Sequence, residues 1–309
     1  MAQIIIGDSP AYLNGGSEAN DAIPAFWLNE VLEAYRPNIT VAGLVRNDFE
    51  NETGGVGDVI NYLTRGDVFV NDKVVDTDIT PDGPSNGKVQ VILNKHKVVS
   101  WKVEDHTSAK ALSQGLNYVR DAVPALIEAI EAEILEEYAQ AAATAGAVGQ
   151  PVDSATVREA RLKLNQANVP LQNRFMILSP EDEDSLLGDP QFISAEKRGD
   201  SGSALEEARL GRIFGFDTYM SQLIPTTAGP AARHNIAMNR DGIVLAVRPL
   251  PLPPAGSGVR SGLLIDEEAG LAFRYTQGYD QTAMAMMHNV DILYGIKTVR
   301  PEAMCEIQA

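Results

Sequence analysis

Cysteine is almost absent from this chain: Cys305 is the only one in 309 residues. A single thiol cannot close an intrachain disulfide or build a Cys-based zinc site, and such sparing use suits a reducing cytoplasm. Histidine is scarce too, with four residues scattered so that none stands at metal-ligand spacing to another, and no metal or cofactor is expected. Long apolar runs are missing: nothing approaches the roughly 18 residues of a membrane span. The start, MAQIIIGDSP, lacks the basic stretch and apolar core of a signal peptide. Cations are outnumbered, 25 Lys and Arg against 42 Asp and Glu, for a formal charge of −17. A tight non-specific grip on DNA needs cations to displace condensed counterions, so this balance argues against one. What the chain does have is core-forming material: 44% hydrophobic residues with 22% charged ones exclude wholesale disorder. At roughly 100–200 residues per domain, the length allows two or three modules.

Residues 1–22 are small and polar, include Gly15-Gly16, and read as an arm. PAFWLNEVLEAYRP then sets Phe26, Trp27, Val31, Leu32 and Tyr35 at helical spacing, predicting a short amphipathic helix that ends at Arg36-Pro37. After Gly54-Gly55-Val56-Gly57 the pattern changes. From Val89 to Val103 the odd positions Val89, Val91, Leu93, Val99, Trp101 and Val103 are apolar and the even ones mostly polar, the period of a long strand with one buried face. TPDGPSNGK, residues 80–88, is a turn or loop tip, and the run from Val59 to Ile79 is the strand's expected partner. A hairpin that long is marginal alone and needs a surface to lie on.

Residues 108–145 give the strongest helical pattern, with Leu112, Leu116, Val119, Val123, Leu126, Ile127, Ile130, Ile134 and Tyr138 at steps of three and four. Such a helix would be roughly 50 Å long, and Pro124 should kink or divide it. Glu128, Glu131, Glu133, Glu136 and Glu137 crowd the remaining side, which is expected to be solvated. A helix over 154–167 follows, then the strand RFMILS (174–179), with Ser179-Pro180 and Asp182 marking a further helix start. Residues 188–204 read as a polar surface loop, Leu205 to Leu210 as a short helix, and RIFGFDTYMS as a strand. A helix or turn is expected ahead of GIVLAV, a punctuating loop at PLPLPPAGSG, and short β runs in the last 45 or so residues, including Leu271–Tyr275 and Val290–Val299.

Several short motifs tempt. Gly199-Asp200-Ser201-Gly202 matches the tetrapeptide around the nucleophile of trypsin-like proteases, but the reaction needs a His and an orienting Asp in a constellation that neither His96 nor His106 reproduces. A soluble hydrolase using Ser201 is the rival reading from another class. Arg65-Gly66-Asp67 and Arg198-Gly199-Asp200 spell an adhesion tripeptide too short to carry weight. Asp76, Asp78 and Asp82-Gly83 fall short of a calcium loop, because Pro81 stands where the glycine belongs and no Glu closes it. The acids at 181–184 fit a solvated helix start. Gly54 to Gly57 lacks the glycine spacing of a nucleotide site. No residue is assigned a catalytic role.

The order of elements is informative: arm, short helix, long hairpin, very long helix, mixed α/β region, terminal β stretch. It resembles the major capsid proteins of tailed bacteriophages, with the Hong Kong 97-type capsid fold. GDVINYLTRGDVFVNDKV to KVVSWKVED, residues 57–105, is similar to the extended E-loop and its return strand, and residues 108–145 to the spine helix of the peripheral domain. VPLQNRFMILSPEDEDSLL (169–187) resembles the opening of the axial domain, ARLGRIFGFDTYMSQLIP (208–225) a strand of the same family, and YGIKTVRPEAM (294–304) its closing strand.

The resemblance implies an α+β fold divided into an N-terminal arm with a short helix (1–50), an E-loop hairpin (51–105), a peripheral domain (106–150 and 265–300), an axial domain (151–264) and a C-terminal tail (301–309). It implies a structural protein, not an enzyme, present as hexamers and pentamers of an icosahedral shell around double-stranded DNA. Assembly is placed in the bacterial host cytoplasm, with a separate scaffolding protein and a portal as partners, a decoration protein as an optional one, and no membrane. Candidate intersubunit contacts on arm and hairpin are Phe26, Trp27, Arg65, Phe69, Val89, Val91, Leu93, Lys95 and Lys97. An encapsulin-type compartment is the alternative within this fold. The charge then has two readings: part of the long helix's glutamate face lines the shell and lets DNA slide, or net charge simply keeps a concentrated protein soluble.

Overall fold

Period two governs more of this chain than period 3.6. In the computed structural model the described residues are 41–49, 59–64, 86–108, 118–189, 211–227, 232–254, 258–266 and 270–309, with 66, 68, 70–76, 78 and 83 inside the hairpin. The elements begin with α1 (Val41–Leu44), β1 (Arg46–Phe49), β2 (Val59–Thr64), β3 (Gly87–Ile92), β4 (Lys95–Glu104), α2 (Asp105–Ser108) and α3 (Val119–Glu136). They continue with β5 (Ala143–Gly146), α4 (Ser154–Gln166), β6 (Arg174–Leu178), α5 (Pro180–Leu187), β7 (Arg212–Ile213), β8 (Phe216–Met220) and β9 (Thr226–Thr227). The last are β10 (Ala232–Asn239), β11 (Ile243–Arg248), β12 (Arg260–Asp266), β13 (Leu271–Asp280), β14 (Ala285–Thr298) and β15 (Met304–Gln308).

They form an α+β fold with two main sheets. The first runs β1-β11-β14-β13-β12, with β4 on the other flank of β14. The second runs β5-β15-β10-β6-β8-β7, with β9 on β10. Alternation along the strands of the second sheet feeds two cores. Phe175, Ile177, Ile236 and Met238 face a cluster shared with α3 and the first sheet, where Leu126, Ile130 and Ile134 meet Leu245, Phe273 and Ile292. Met176, Leu178, Ala237, Cys305 and Ile307 face α4 and α5, represented by Val157, Leu164 and Leu186. Because β6 is covered on both faces, all five of its residues are buried, which is why Phe175–Leu178 reads as an uninterrupted apolar run after Arg174. The helix starts follow capping chemistry: Asp153 accepts from the Thr156 amide at 2.8 Å, and Ser179 accepts from the Asp182 amide at 3.2 Å with Pro180 at the first position.

The long helix is shorter than its pattern implies. It spans Val119–Glu136, about 27 Å at 1.5 Å per residue, passes through Pro124 without dividing, and tightens into a 3-10 turn at Glu137–Gln140. Ala141 turns extended, and Ala143–Gly146 pairs in parallel with β15. The alanine-rich stretch favours helix intrinsically, but tertiary pairing overrides propensity. Residues 109–117 lie outside the described ones, as do the expected arm, the 24–36 helix, the Leu205–Leu210 helix and most of the 188–204 loop.

Three strand expectations also change. The Val89–Val103 strand breaks after Ile92: β3 pairs with β2, whereas β4 pairs with β14 over ten residues, Lys95↔Tyr294 to Glu104↔Ala285. Among the described residues β3 pairs with Val59–Thr64, over six pairs. A turn at Arg240–Asp241 does stand ahead of GIVLAV, and it follows a strand the pattern did not announce, β10, which pairs with both β15 and β6. The segment 301–309, set apart as a tail, carries β15 between β5 and β10. The sheets also cross the expected domain limits, since β11 lies in the sheet of β13 and β14, and β5 in that of β6 and β10.

Candidate functional site

A shell-forming role turns on what the hairpin presents and what holds it. The alternation of β4 puts odd positions toward α3 and even positions outward. Val91 and Leu93 are buried, packed with Val244, Ala246, Ile60, Tyr62 and Val299 of the same chain, and Val89 is half-buried opposite Tyr62. The next odd positions are lysines. Lys95 and Lys97 lie beside α3, where Glu133 accepts from Lys95 Nζ at 2.8 Å and from Lys97 Nζ at 2.6 Å. The hydroxyl of Tyr294 on β14 donates to the same carboxylate at 2.8 Å. Burial alone would raise the Glu133 carboxyl, but these three hydrogen bonds outweigh it and hold it below the ordinary value.

The opposite face of β4 is tied as well. His96 Nε2 lies 2.9 Å from Asp291, and Arg274 on β13 grips Asp291 through Nε at 3.0 Å and Nη2 at 2.5 Å. Burial pushes Asp291 up and the hydrogen bonds from Arg274 and His96 pull it further down. Close to the break, β14 passes under the hairpin at Gly295, where an added Cβ would stand 2.9 Å from the Ile92 carbonyl carbon and nearer still to its oxygen. Only glycine permits that approach.

Past this root the hairpin is open. Leu63 is 69% exposed, Val70 96% and Val75 89%, with Val68 and Val74 similarly uncovered. A second apolar strip, Leu263, Leu264 and Ile265, lies exposed on the edge strand β12. Of the sequence-based contact candidates, Val91, Leu93, Lys95 and Lys97 are thus engaged inside the chain, and Phe26, Trp27, Arg65 and Phe69 lie outside the described residues. The glutamate face of the long helix is likewise largely consumed: Glu131 is buried and accepts from the Ala42 amide at 3.0 Å, and Glu137 accepts from Thr298 Oγ1 at 2.6 Å. Glu136 is exposed. Three of the five glutamates, Glu131, Glu133 and Glu137, thus meet donors far from them in sequence, on α1, β4 and β14.

A second polar cluster, unforeseen in the sequence, ties α5 to β10. Asp182 is fully buried and accepts from Arg233 Nε at 3.0 Å, Arg233 Nη2 at 2.9 Å, Asn235 Nδ2 at 2.7 Å and Ser179 Oγ at 2.7 Å. Beside it His234 lies between Thr227 Oγ1 and Glu306 Oε1, each at 2.6 Å, and stacks on Tyr138 at 4.1 Å. For the Glu133 cluster the signal available beforehand was charge at inward positions: lysines at 95 and 97 within an apolar alternation require a nearby acid.

Among the described residues no cluster of three His, Cys, Asp or Glu is placed to hold a metal, and no helix is long and apolar enough to cross a membrane. Ser201 lies outside the described residues.

The family model described as phage capsid protein matches residues 90–249. The fold is similar to a chain of Mycobacterium phage Che8, with a TM-score of 0.70 and 20% identity over 93% of this chain and 97% of that one. It is similar to the mature capsid of bacteriophage PhiM1, with a TM-score of 0.67 and 10% identity over 98% of each chain. The capsid of Ralstonia phage GP4 gives a TM-score of 0.65 and 12% identity over 100% of this chain and 98% of that one. No curated protein sequence matches the chain.

Proposed function

The chain belongs to the family of phage capsid proteins, and from that premise we propose that it is the major capsid protein of a tailed phage. Its role is structural, not enzymatic. Many copies assemble by symmetry into an icosahedral head shell, grouped as hexamers and pentamers, around double-stranded DNA. The observation that carries this reading is the family match through the hairpin's return strand and the central sheets, joined to a likeness to phage capsid chains along nearly the whole length. The neighbours are phage capsids, which favours a genome over the cargo enzymes of an encapsulin.

The uncovered apolar residues of the hairpin, Leu63, Val68, Val70, Val74 and Val75, supply the surface a neighbour would bury. Phe26, Trp27, Arg65 and Phe69 join them as contact candidates in this reading, with the arm and hairpin as clasps. The net charge of −17 suits a wall against which packed DNA slides without being gripped. A separate scaffolding protein, a portal and a decoration protein are the partners this reading implies, and the host cytoplasm is its place of assembly. Sedimentation and negative-stain micrographs of the purified protein test it: closed shells of one diameter are expected, and a purely monomeric species overturns it.

A further inference from the structure

The inward lysines of β4 are out of place as core residues and too exposed to be strong stabilisers. Every other inward position from Val91 to Val103 is apolar. The side chains of Lys95, Lys97 and Glu133 retain 38%, 33% and 19% exposure, a setting in which ion pairs contribute little to stability. Their geometry is nonetheless definite. One carboxylate on α3 gathers donors from β4 and β14, Oε2 from Lys95 and Tyr294 and Oε1 from Lys97. Lys97 also reaches the Ala129 carbonyl at 3.4 Å, one turn earlier on the helix.

This junction lies immediately beyond the break between β3 and β4, where the hairpin leaves the first sheet. Val91 is still packed on Val244 and Ala246, and beyond it the four residues Gly87–Gln90 extend about 13 Å at roughly 3.3 Å each. A rotation of about 10° at the root would therefore move the far end of β3 by about 2.3 Å over that length, enough to lose van der Waals contact. Shell diameter depends on a constant angle between neighbours, so an error at the root is copied at every contact.

We propose that Glu133 is a positioning residue for shell geometry: it holds Lys95, Lys97 and Tyr294 together so that the hairpin leaves the sheet at one angle. The inference rests on the capsid reading and goes beyond it by assigning control of the shell's uniformity to a residue that need not touch a neighbour. Removing the charge on Glu133 should leave the subunit folded, because the half-exposed pairs carry little stability, and should broaden the distribution of particle sizes.

The test compares particles formed by wild type, Glu133→Gln and the exchange Glu133→Lys with Lys97→Glu, by electron microscopy, with circular dichroism and thermal melting of each protein. Expected are one diameter for wild type, a mixture of diameters or open sheets for Glu133→Gln with an unchanged spectrum, and partial return to one diameter in the exchange. Should Glu133→Gln not fold, Lys97→Met removes one donor of the three and is read in the same way. Uniform shells of wild-type diameter from the folded single variant overturn the inference and leave the capsid reading intact. Absence of shells from wild type overturns both.

Discussion

Replacing Asp182 with Ala is the most demanding test of the second cluster. The carboxylate is fully buried and receives four hydrogen bonds, two from Arg233 and one each from Asn235 and Ser179. Truncation strands the Arg233 guanidinium, whose side chain is only 21% exposed, and leaves the Asn235 amide without that acceptor. Breaking a buried pair in this way costs about 3–5 kcal/mol. Arg233 keeps Glu181 at 2.5 Å and some water, which puts the cost at the lower end, about 3 kcal/mol. At about 2–4 °C per kcal/mol for domains approaching this size, the thermal midpoint should fall by about 6–12 °C.

Scanning calorimetry of the purified protein at pH 7 measures it, beside Arg233→Met and the double variant Asp182→Leu with Arg233→Met. The double variant should recover much of the loss, since matched apolar replacements remove both charges at once. A fall of less than about 2 °C for Asp182→Ala, or strictly additive single effects, would refute the account of Asp182 as the acceptor on which α5 and β10 both depend.

Gly295→Ala should destabilise by about 1–3 kcal/mol, because the obstacle is the Ile92 backbone and not a flexible side chain; a lower melting temperature and faster proteolysis between residues 64 and 87 would report it. Glu133, Asp182 and Asp291 all titrate below their ordinary values of 4.5, 3.8 and 3.8. Their contribution is therefore present above those values and lost as pH falls through the lower folded ones, so the midpoint should be level from pH 7 to about 5 and drop below about pH 4. Glu183, raised by burial, softens that drop, and a stability maximum near pH 3 would contradict the assignment. Cys305, with its thiol pushed up to about 12 by burial, should resist a disulfide-exchange reagent at pH 8 in the native protein and react once denatured; rapid native labelling would be inconsistent with its place between the second sheet and α4.

Local chemistry made several elements legible in advance. The Ser179-Pro180 start of α5, the helix over 154–166 and the β4 alternation each depend on neighbours in sequence, and all three appear in the fold. Elements decided by distant partners were not legible. Ala143–Gly146 is a strand only because β15, some 160 residues later, lies beside it. Ala232–Asn239 carries His234 and Asn235 at buried positions, and no pattern in ARHNIAMN announces that Glu306, Thr227 and Asp182 will satisfy them. The glutamates of α3 looked solvated because helical spacing locates a face without naming what covers it. The candidate contacts divided for the same reason: alternation identified Val91, Leu93, Lys95 and Lys97 as one face, and only the tertiary structure assigns that face to the chain itself.

Strand β14 has a consequence for timing. It flanks β4, β13 and β11, and β15 closes the second sheet between β5 and β10. Both sheets therefore wait for residues 285–308, so long-range pairing sets the pace of folding. Until residues 285–298 emerge, β4 lacks β14, its partner over ten residues, and the hairpin root cannot take its final direction. The two sheets are thus completed together, once the segments that carry β14 and β15 have been made.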